Sequence, residues 1–396
     1  MAETAGRPER VALVHDFLLD LRGAERVFAA LCDAWPDADV FTPVYDPEGT
    51  EGRFAHRNIH TSFLQRLRPT SRTFRMLLPL YPLAVESFDL SGYDLVVSSS
   101  SAWAHGVIPQ PDAIHVSYCY NPFRYAWNAH DTTLAQHNPL VRAALAVIFS
   151  RWRRWDWIAA QRVDSYIAIS ETTRQRIARY FNRDAEVVFP PVEISRFQPG
   201  PVDDYYVLVS ELMPHKRIHV AVEAFNRLGR RLVIAGDGPE ARHLRRLAGP
   251  NVSIEGRVSD ERIAELAQGC RAMIVTATEE FGIAAVEAQA AGRPVIAHAS
   301  GGARETVIDG ETGTFFEHCE PDALAEAVRA FDDGAIDPQA CVANARRFGP
   351  ERFRQQMHAA VERARESDQR EPVAHARARR RRRAQRRPVA RLRGPA

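Results

Sequence analysis

The sequence has few cysteines, and no two of them lie close together. Cys32, Cys119, Cys270, Cys319 and Cys341 form no C-x-x-C pair and have no histidine at metal-ligand spacing. A disulfide framework and a Cys/His metal site are therefore not expected, and the five read as reduced, mostly buried thiols of a cytosolic protein. Long apolar runs are missing too. No stretch of eighteen apolar residues occurs, and the opening "MAETAGRPERVALVHDF" lacks an apolar core of signal length, so neither a membrane span nor a secretory leader is expected.

What is present is ordinary in bulk. A chain of 396 residues with 45% hydrophobic and 26% charged residues fits two soluble globular domains and excludes a fibrous or disordered class. The net charge of +2 hides an asymmetry, since residues 370–396 carry eleven arginines and one glutamate, leaving the rest acidic at −8.

Strand-like runs alternate with helical stretches throughout. The first half gives "RVALVHDF" (10–17), "DLVVSSS" (94–100), "AIHVSYCY" (113–120), "SYIAIS" (165–170) and "AEVVFPPV" (185–192). The second gives "YYVLVS" (205–210), "RLVIAGDG" (231–238), "NVSIEGRV" (251–258), "AMIVTA" (272–277) and "PVIAHAS" (294–300). Such alternation predicts parallel sheets buried on both faces. Pro190, Pro191, Pro199, Gly200 and Pro201 mark a linker, because prolines cannot donate to a sheet. The expected organisation is an N-terminal α/β domain (1–193), a linker (194–199), a second α/β domain (200–349), a helix (350–368) and an Arg-rich tail (369–396), disordered by its self-repulsion.

The stretch "TATEEFGIAAVEAQ" sets Glu279 and Glu287 eight positions apart around Phe281-Gly282-Ile283. It follows a strand and opens a helix, the place where a parallel sheet binds ligands. Amides of Phe281, Gly282 and Ile283 suit a diphosphate. Carboxylates would repel one, but each matches a pair of adjacent sugar hydroxyls. A phosphate seat flanked by two hydroxyl readers fits a nucleotide-sugar. The plainer alternative is two glutamates that merely complement a helix N-terminus.

The wider sequence resembles the retaining, GT-B-type glycosyltransferases of family 4 over about residues 10–350, in "GAERVF", "SYIAISETTRQRI", "FPPVEISRF", "HKR", "AGDGPE", "GRVSDERIAEL" and "AAGRPVIAHASGGARETVIDGETG". Within it, "HDFLLDLRGAERVF", "TSFLQRL", "FDLSGYDLVVSSS" and "NPFRYAWN" are most similar to bacterial polysaccharide mannosyltransferases that use GDP-mannose. The resemblance implies two Rossmann-like domains facing across a cleft. It further implies Glu279 on the donor sugar, Glu287 on the ribose, and Lys216 on the diphosphate. Gly23 is implied opposite the phosphates, Ser210 and Val258 at the donor, and Gly301 and Gly302 at the edge of the sugar pocket. The sequence departs from the family at two places. Glu211 stands where an arginine is common, leaving phosphate charge to Arg217 or an N-terminal residue, and Tyr120 stands where a histidine is common.

Other features have weaker readings. Arg57, Arg66, Arg68, Arg72 and Arg75, interleaved with Phe63, Leu64, Leu67, Phe74, Met76, Leu77 and Leu78, fit either an anionic bilayer or an ordinary amphipathic helix pair. Trp152, Trp155 and Trp157 read mainly as packing. "GDGPE" (236–240) is a weak phosphate-loop match. His15 could reach the cleft, and Ser98–Ser101 could line its acceptor side. The tail suits acidic lipid or, without sequence preference, nucleic acid.

The resulting expectation is a cytosolic, peripherally membrane-associated glycosyltransferase using a nucleoside diphosphate hexose and a lipid-linked glycan acceptor. No cofactor or metal is expected, since no D-x-D stands beside the phosphate seat. A same-fold epimerase or phosphorylase, and a non-catalytic protein acting through its tail, are the alternatives.

Overall fold

The computed structural model describes residues 9–370 except 72 and 136. The Arg-rich tail therefore lies outside the described residues, apart from Gln369 and Arg370 at the end of the last helix. Two parallel sheets dominate. The first holds β1 (Val11–His15), β2 (Asp39–Thr42), β3 (Ile59–Thr61), β4 (Leu95–Ser100), β5 (Ile114–Cys119), β6 (Ser165–Ala168) and β7 (Ala185–Val187), in the order β3-β2-β1-β4-β5-β6-β7. The second holds β8 (Tyr206–Val209), β9 (Leu232–Ala235), β10 (Val252–Gly256), β11 (Met273–Val275), β12 (Val295–His298) and β13 (Gly313–Phe316), in the order β10-β9-β8-β11-β12-β13. Each of the ten runs expected to be strands contains one. β2, β3 and β13 were not expected; β2 and β3 form one end of the first sheet and β13 one edge of the second.

Alternation within the strands buries both faces. Leu13, Val97, Val116 and Tyr118 pack on one side of the first sheet, and Ala12, Val14, Phe41 and Val96 on the other. In the second, Leu208, Ile234, Ile274 and Ile296 oppose Val207, Val233, Met273 and Val295. Helices start where the sequence supplies a cap: Ser170 accepts from the Thr173 amide, and Ser259 from that of Arg262.

Strand order reverses between β1 and β4 and again between β8 and β11. In open parallel sheets a ligand crevice forms beyond the strand ends at such a switch point. Both reversals in this chain open toward the same cleft.

The last helix, Pro350–Arg370, runs slightly beyond its expected end. Its stripe of Phe353, Met357, Ala360, Val361 and Ala364 joins the core of the first sheet beside the Gly23–Ala34 helix. Phe353 meets Tyr118 edge-on at 5.5 Å, and His358 lies 4.7 Å from Trp35. The chain thus returns to the N-terminal domain to complete it. The segment from Phe63 to Leu80 is not the helix pair considered above. It forms two 3-10 turns, Phe63–Leu67 and Phe74–Leu80, divided by left-handed Arg68 and Pro69.

Met357 is fully buried, so Met357→Ala should lower unfolding free energy by about 2–4 kcal/mol in a denaturant titration. Deleting residues 371–396, which lie outside the described residues, should leave the midpoint unchanged.

Candidate active site

The cleft between the sheets has a volume of about 750 Å³. Its walls include the segments after the four switch-point strands: Gly23 after β1, Ser101 to Trp103 after β4, Ser210 and Glu211 after β8, and Thr276, Ala277 and Glu279 to Ile283 after β11.

The loop after β11 is fixed from behind. Gly282 has φ +92°, a conformation few residues other than glycine adopt, and it turns the chain into the Ile283–Ala290 helix. The first amides of that helix have no intrahelical acceptor, and Gly282, Ile283 and Ala284 all line the cleft. Phe281 lines the cleft as well, while its ring packs 5.8 Å from Phe189 and 5.3 Å from Phe348. Beneath it, Gly302 donates to the Glu279 carbonyl at 2.9 Å. A Cβ on Gly302 would fall 2.3 Å from the Phe281 backbone, and one on Gly301 would fall 2.2 Å from the Glu279 carbonyl oxygen. These two glycines support the loop's rear and do not form the pocket edge assigned to them.

Glu279 and Lys216 both line the cleft, and the Lys216 ammonium contacts both Glu279 carboxylate oxygens at 2.6 Å. The hydroxyl of Thr276 donates to the Lys216 carbonyl at 2.9 Å, which holds the lysine turn against the same loop. Neighbouring His215 has its pKa lowered by burial, then by Lys216 and Arg124. Sequence reasoning overlooked one signal: Lys216 is the chain's only lysine, and the other fifty-one Lys/Arg positions are arginine. The two cations differ in shape, the ammonium being a compact point charge and the guanidinium a planar fork.

Glu287 also lines the cleft, from the Ile283–Ala290 helix. Burial raises its pKa, while Arg196 and Arg26 pull it down and Asp260 adds to the rise. Asp260 holds both arginines, at 2.7 Å from Arg196 and 3.0 Å from Arg26.

On the opposite wall, a Cβ on Gly23 would lie 3.6 Å from the Ile283 side chain, so this glycine faces the helix start. Tyr120 lines the cleft, but its phenol is engaged by Ser99 at 2.8 Å and donates to the Ala24 carbonyl at 2.9 Å. It therefore braces the Gly23 turn and is not free for a sugar hydroxyl. His15 lies behind that brace, 3.0 Å from Ser99, and does not reach the cleft. Ser98, Ser99 and Ser100 are buried. Of the serine run only Ser101 lines the cleft, and its amide and hydroxyl both donate to Asp16.

Three more assignments change. Arg217 donates to the Cys319 carbonyl at 2.6 Å and is no part of the cleft wall. Val258 packs on the Val207 and Val233 cluster instead of lining the cleft. Glu211 pairs with Arg22 of the facing domain at 3.1 Å, so a guanidinium does stand there, supplied from across the cleft. Gly236 and Gly238 of "GDGPE" permit close approach to Ser210 and Leu212, which is a packing role. Sequence reasoning also missed Glu280, which meets Arg124 at 3.4 Å and Arg176 at 3.2 Å across the cleft. The doubled glutamate of "TEEFG" was its signal.

The family description "Glycosyltransferase Family 4" matches residues 21–196, and "Glycosyl transferases group 1" matches residues 193–348. A GDP-mannose-dependent alpha-(1-6)-phosphatidylinositol monomannoside mannosyltransferase of Mycolicibacterium smegmatis is 33% identical over 44% of this chain and 54% of that protein. A D-inositol 3-phosphate glycosyltransferase of Mycobacterium bovis is 35% identical over 36% of this chain and 35% of its own length. The chain thus spans about half the length, or less, of these curated relatives. Among solved structures, sucrose-phosphate synthase from Thermosynechococcus elongatus aligns with a TM-score of 0.70 at 19% identity, covering 90% of this chain and 99% of that one. Anabaena HepE in complex with UDP and glucose gives 0.66 at 19% identity, covering 89% and 99%. The paired parallel sheets, the cleft at their switch points and the two adjoining family matches lead to one conclusion: the chain belongs to the GT-B glycosyltransferases of family 4.

Proposed function

We propose that this glycosyltransferase is a retaining mannosyltransferase that moves mannose from GDP-mannose to a lipid-linked glycan at the inner face of the cell membrane, in cell-surface polysaccharide synthesis. The observation that carries the reading is Lys216 on Glu279 beside the open start of the Ile283–Ala290 helix, inside a cleft large enough for a nucleotide-sugar. The sugar and base are suggested by the GDP-mannose-dependent relative.

In this reading the diphosphate sits at the helix amides and competes with Glu279 for the Lys216 ammonium. Glu279 is then released to the sugar hydroxyls, and Glu287 takes the ribose diol. The bond from the anomeric carbon to the phosphate oxygen breaks while the acceptor oxygen bonds to the same face of that carbon. The acceptor proton passes to the departing phosphate oxygen. Lys216 and the helix amides stabilise the charge on the leaving group, and no resident metal is required.

Formation of a mannosylated product from GDP-mannose tests the reading, and recovery of only isomerised donor would favour an epimerase. Lys216→Ala should lower turnover by about 10²–10³ with the fold intact by circular dichroism. Lys216→Arg should restore little of it, because a planar fork does not replace a point charge between Glu279 and the diphosphate. Native turnover in Lys216→Arg would mean that charge alone matters there.

Glu287 generates a second expectation. Its folded-state pKa is raised, so the ionised form is the disfavoured one. Stability of the ligand-free protein should fall as pH rises from the ordinary glutamate value through the raised one. Glu287→Gln removes that loss, and at neutral pH its thermal midpoint should equal the native one or exceed it by about 1–2 °C. The same substitution should weaken GDP by about 10–100-fold by removing a charged acceptor from the ribose. It should also abolish the share of GDP affinity that fades as pH falls toward the raised value. Glu279→Gln should bind GDP as well as native protein or better, since Lys216 is released; calorimetric titration distinguishes the two glutamates.

A further inference from the structure

Exposed large hydrophobic side chains are strongly clustered. Of thirteen among the described residues, ten fall in two segments: Phe63, Leu67, Met76, Leu80 and Leu83 in one, and Leu140, Val141, Val147, Trp157 and Ile158 in the other. The second segment is the Pro139–Ala160 helix. Its first six residues are all exposed although they read P-L-V-R-A-A, with Leu140 85% accessible. Met76, in the first segment, is 75% accessible.

Charge follows the same pattern. Residues 52–85 contain six arginines and no acidic residue, and residues 132–155 contain four arginines and none, on a body that is otherwise acidic. Arg66, Arg68, Arg75, Arg151 and Arg154 are exposed and have no carboxylate partner among the described residues. Both segments are anchored in one apolar cluster through Phe74 and Leu78 on one side and Phe149 and Trp152 on the other. Phe74 and Leu78 also line the cleft, as does Tyr125, which stacks on Phe149 at 6.1 Å. The apolar, basic surface is therefore continuous with the aromatic end of the cleft.

We infer that these two segments form a docking face for an anionic lipid bilayer, in which Leu140, Val147, Met76 and Leu83 enter the acyl boundary while the arginines meet lipid phosphates. From sequence alone, Trp152, Trp155 and Trp157 of this helix read mainly as packing, and the first segment fits either a bilayer or an ordinary helix pair. Charge complementarity selects the occupant: exposed arginines without a carboxylate partner match lipid phosphates, and the exposed apolar side chains beside them match the acyl layer beneath. The inference rests on the lipid-linked reading for its purpose and places the acceptor's carrier at the aromatic mouth of the cleft.

The test is flotation of the full chain with vesicles of phosphatidylcholine containing about one third phosphatidylglycerol. At about 0.5 M NaCl, where attraction to the Arg-rich tail is screened, native protein should stay bound. The substitutions Leu140→Glu, Val147→Glu, Met76→Glu and Leu83→Glu, combined, should reduce binding by about tenfold or more. Should that variant melt early, combined Arg66→Gln, Arg68→Gln and Arg151→Gln should reduce binding at about 0.15 M NaCl by a comparable factor. Equal binding by native and substituted proteins overturns the inference. So does native self-association that the glutamates abolish without any vesicle binding, which would assign the face to a second copy. Transfer to a water-soluble acceptor, measured in parallel, should be unchanged. Transfer without vesicle binding removes the docking face and leaves the enzymatic reading intact, whereas variant-sensitive binding without transfer to any acceptor does the reverse.

Discussion

The site depends on one left-handed residue. At φ +92°, Gly282 lets the Phe281 ring pack into the protein while the residues that follow line the cleft, a turn a side-chain-bearing residue would make only under strain. Phe281 then fixes the turn against Phe189 and Phe348, which stand next to the two places where the chain passes between its domains. The loop that presents Glu279 is thus referenced to the joint between the sheets as well as to its own strand. Gly301 and Gly302 complete the constraint by letting a second loop pack beneath it at backbone distance.

Across the cleft the charges are sorted by domain. Arg22, Arg26, Arg124 and Arg176 come from the first sheet's domain, and Glu211, Asp260 and Glu280 from the second. Glu305 adds a neutral-to-anion contact of the same kind, accepting from the amides of Glu171 and Thr172 at the start of a helix in the facing domain. Burial raises the pKa of Glu305 and these two hydrogen bonds oppose the rise. Partly exposed pairs of this type are worth about 0–1 kcal/mol each. They set the facing of the domains without locking it, and a phosphate-bearing ligand can compete for the same guanidinium groups.

The fold was legible because its strands are continuous valine- and isoleucine-rich runs, such as "DLVVSSS" and "RLVIAGDG", whose period and spacing are local properties. β3 was not, since three residues on an exposed sheet edge carry no pattern. At the site, what the sequence allowed was placement: Glu279, Gly282 and Glu287 through their motif, and Gly23 through the family resemblance, all on residues that line the cleft. Tyr120 and Arg217 could not be read: what each hydrogen-bonds is decided by segments about a hundred residues away, Ala24 for one and Cys319 for the other. Glu211 looked like a missing positive charge because its partner, Arg22, is 189 positions distant and becomes a neighbour only when the domains face each other. The solitary lysine was readable in the sequence by counting alone.

The return of the Pro350–Arg370 helix to the first sheet bears on how the chain is made. A ribosome releases the strands of the N-terminal domain first, but Phe353, Met357 and Val361, which close the core beside the Gly23–Ala34 helix, emerge only after the whole second domain has been synthesised. At about 5–20 residues per second the interval is on the order of 10–40 s. During that time the part of the first sheet's apolar face beside the Gly23–Ala34 helix stays uncovered, so the domain made earliest is the one finished last, and it is at this stage of synthesis that the chain most needs shielding from aggregation.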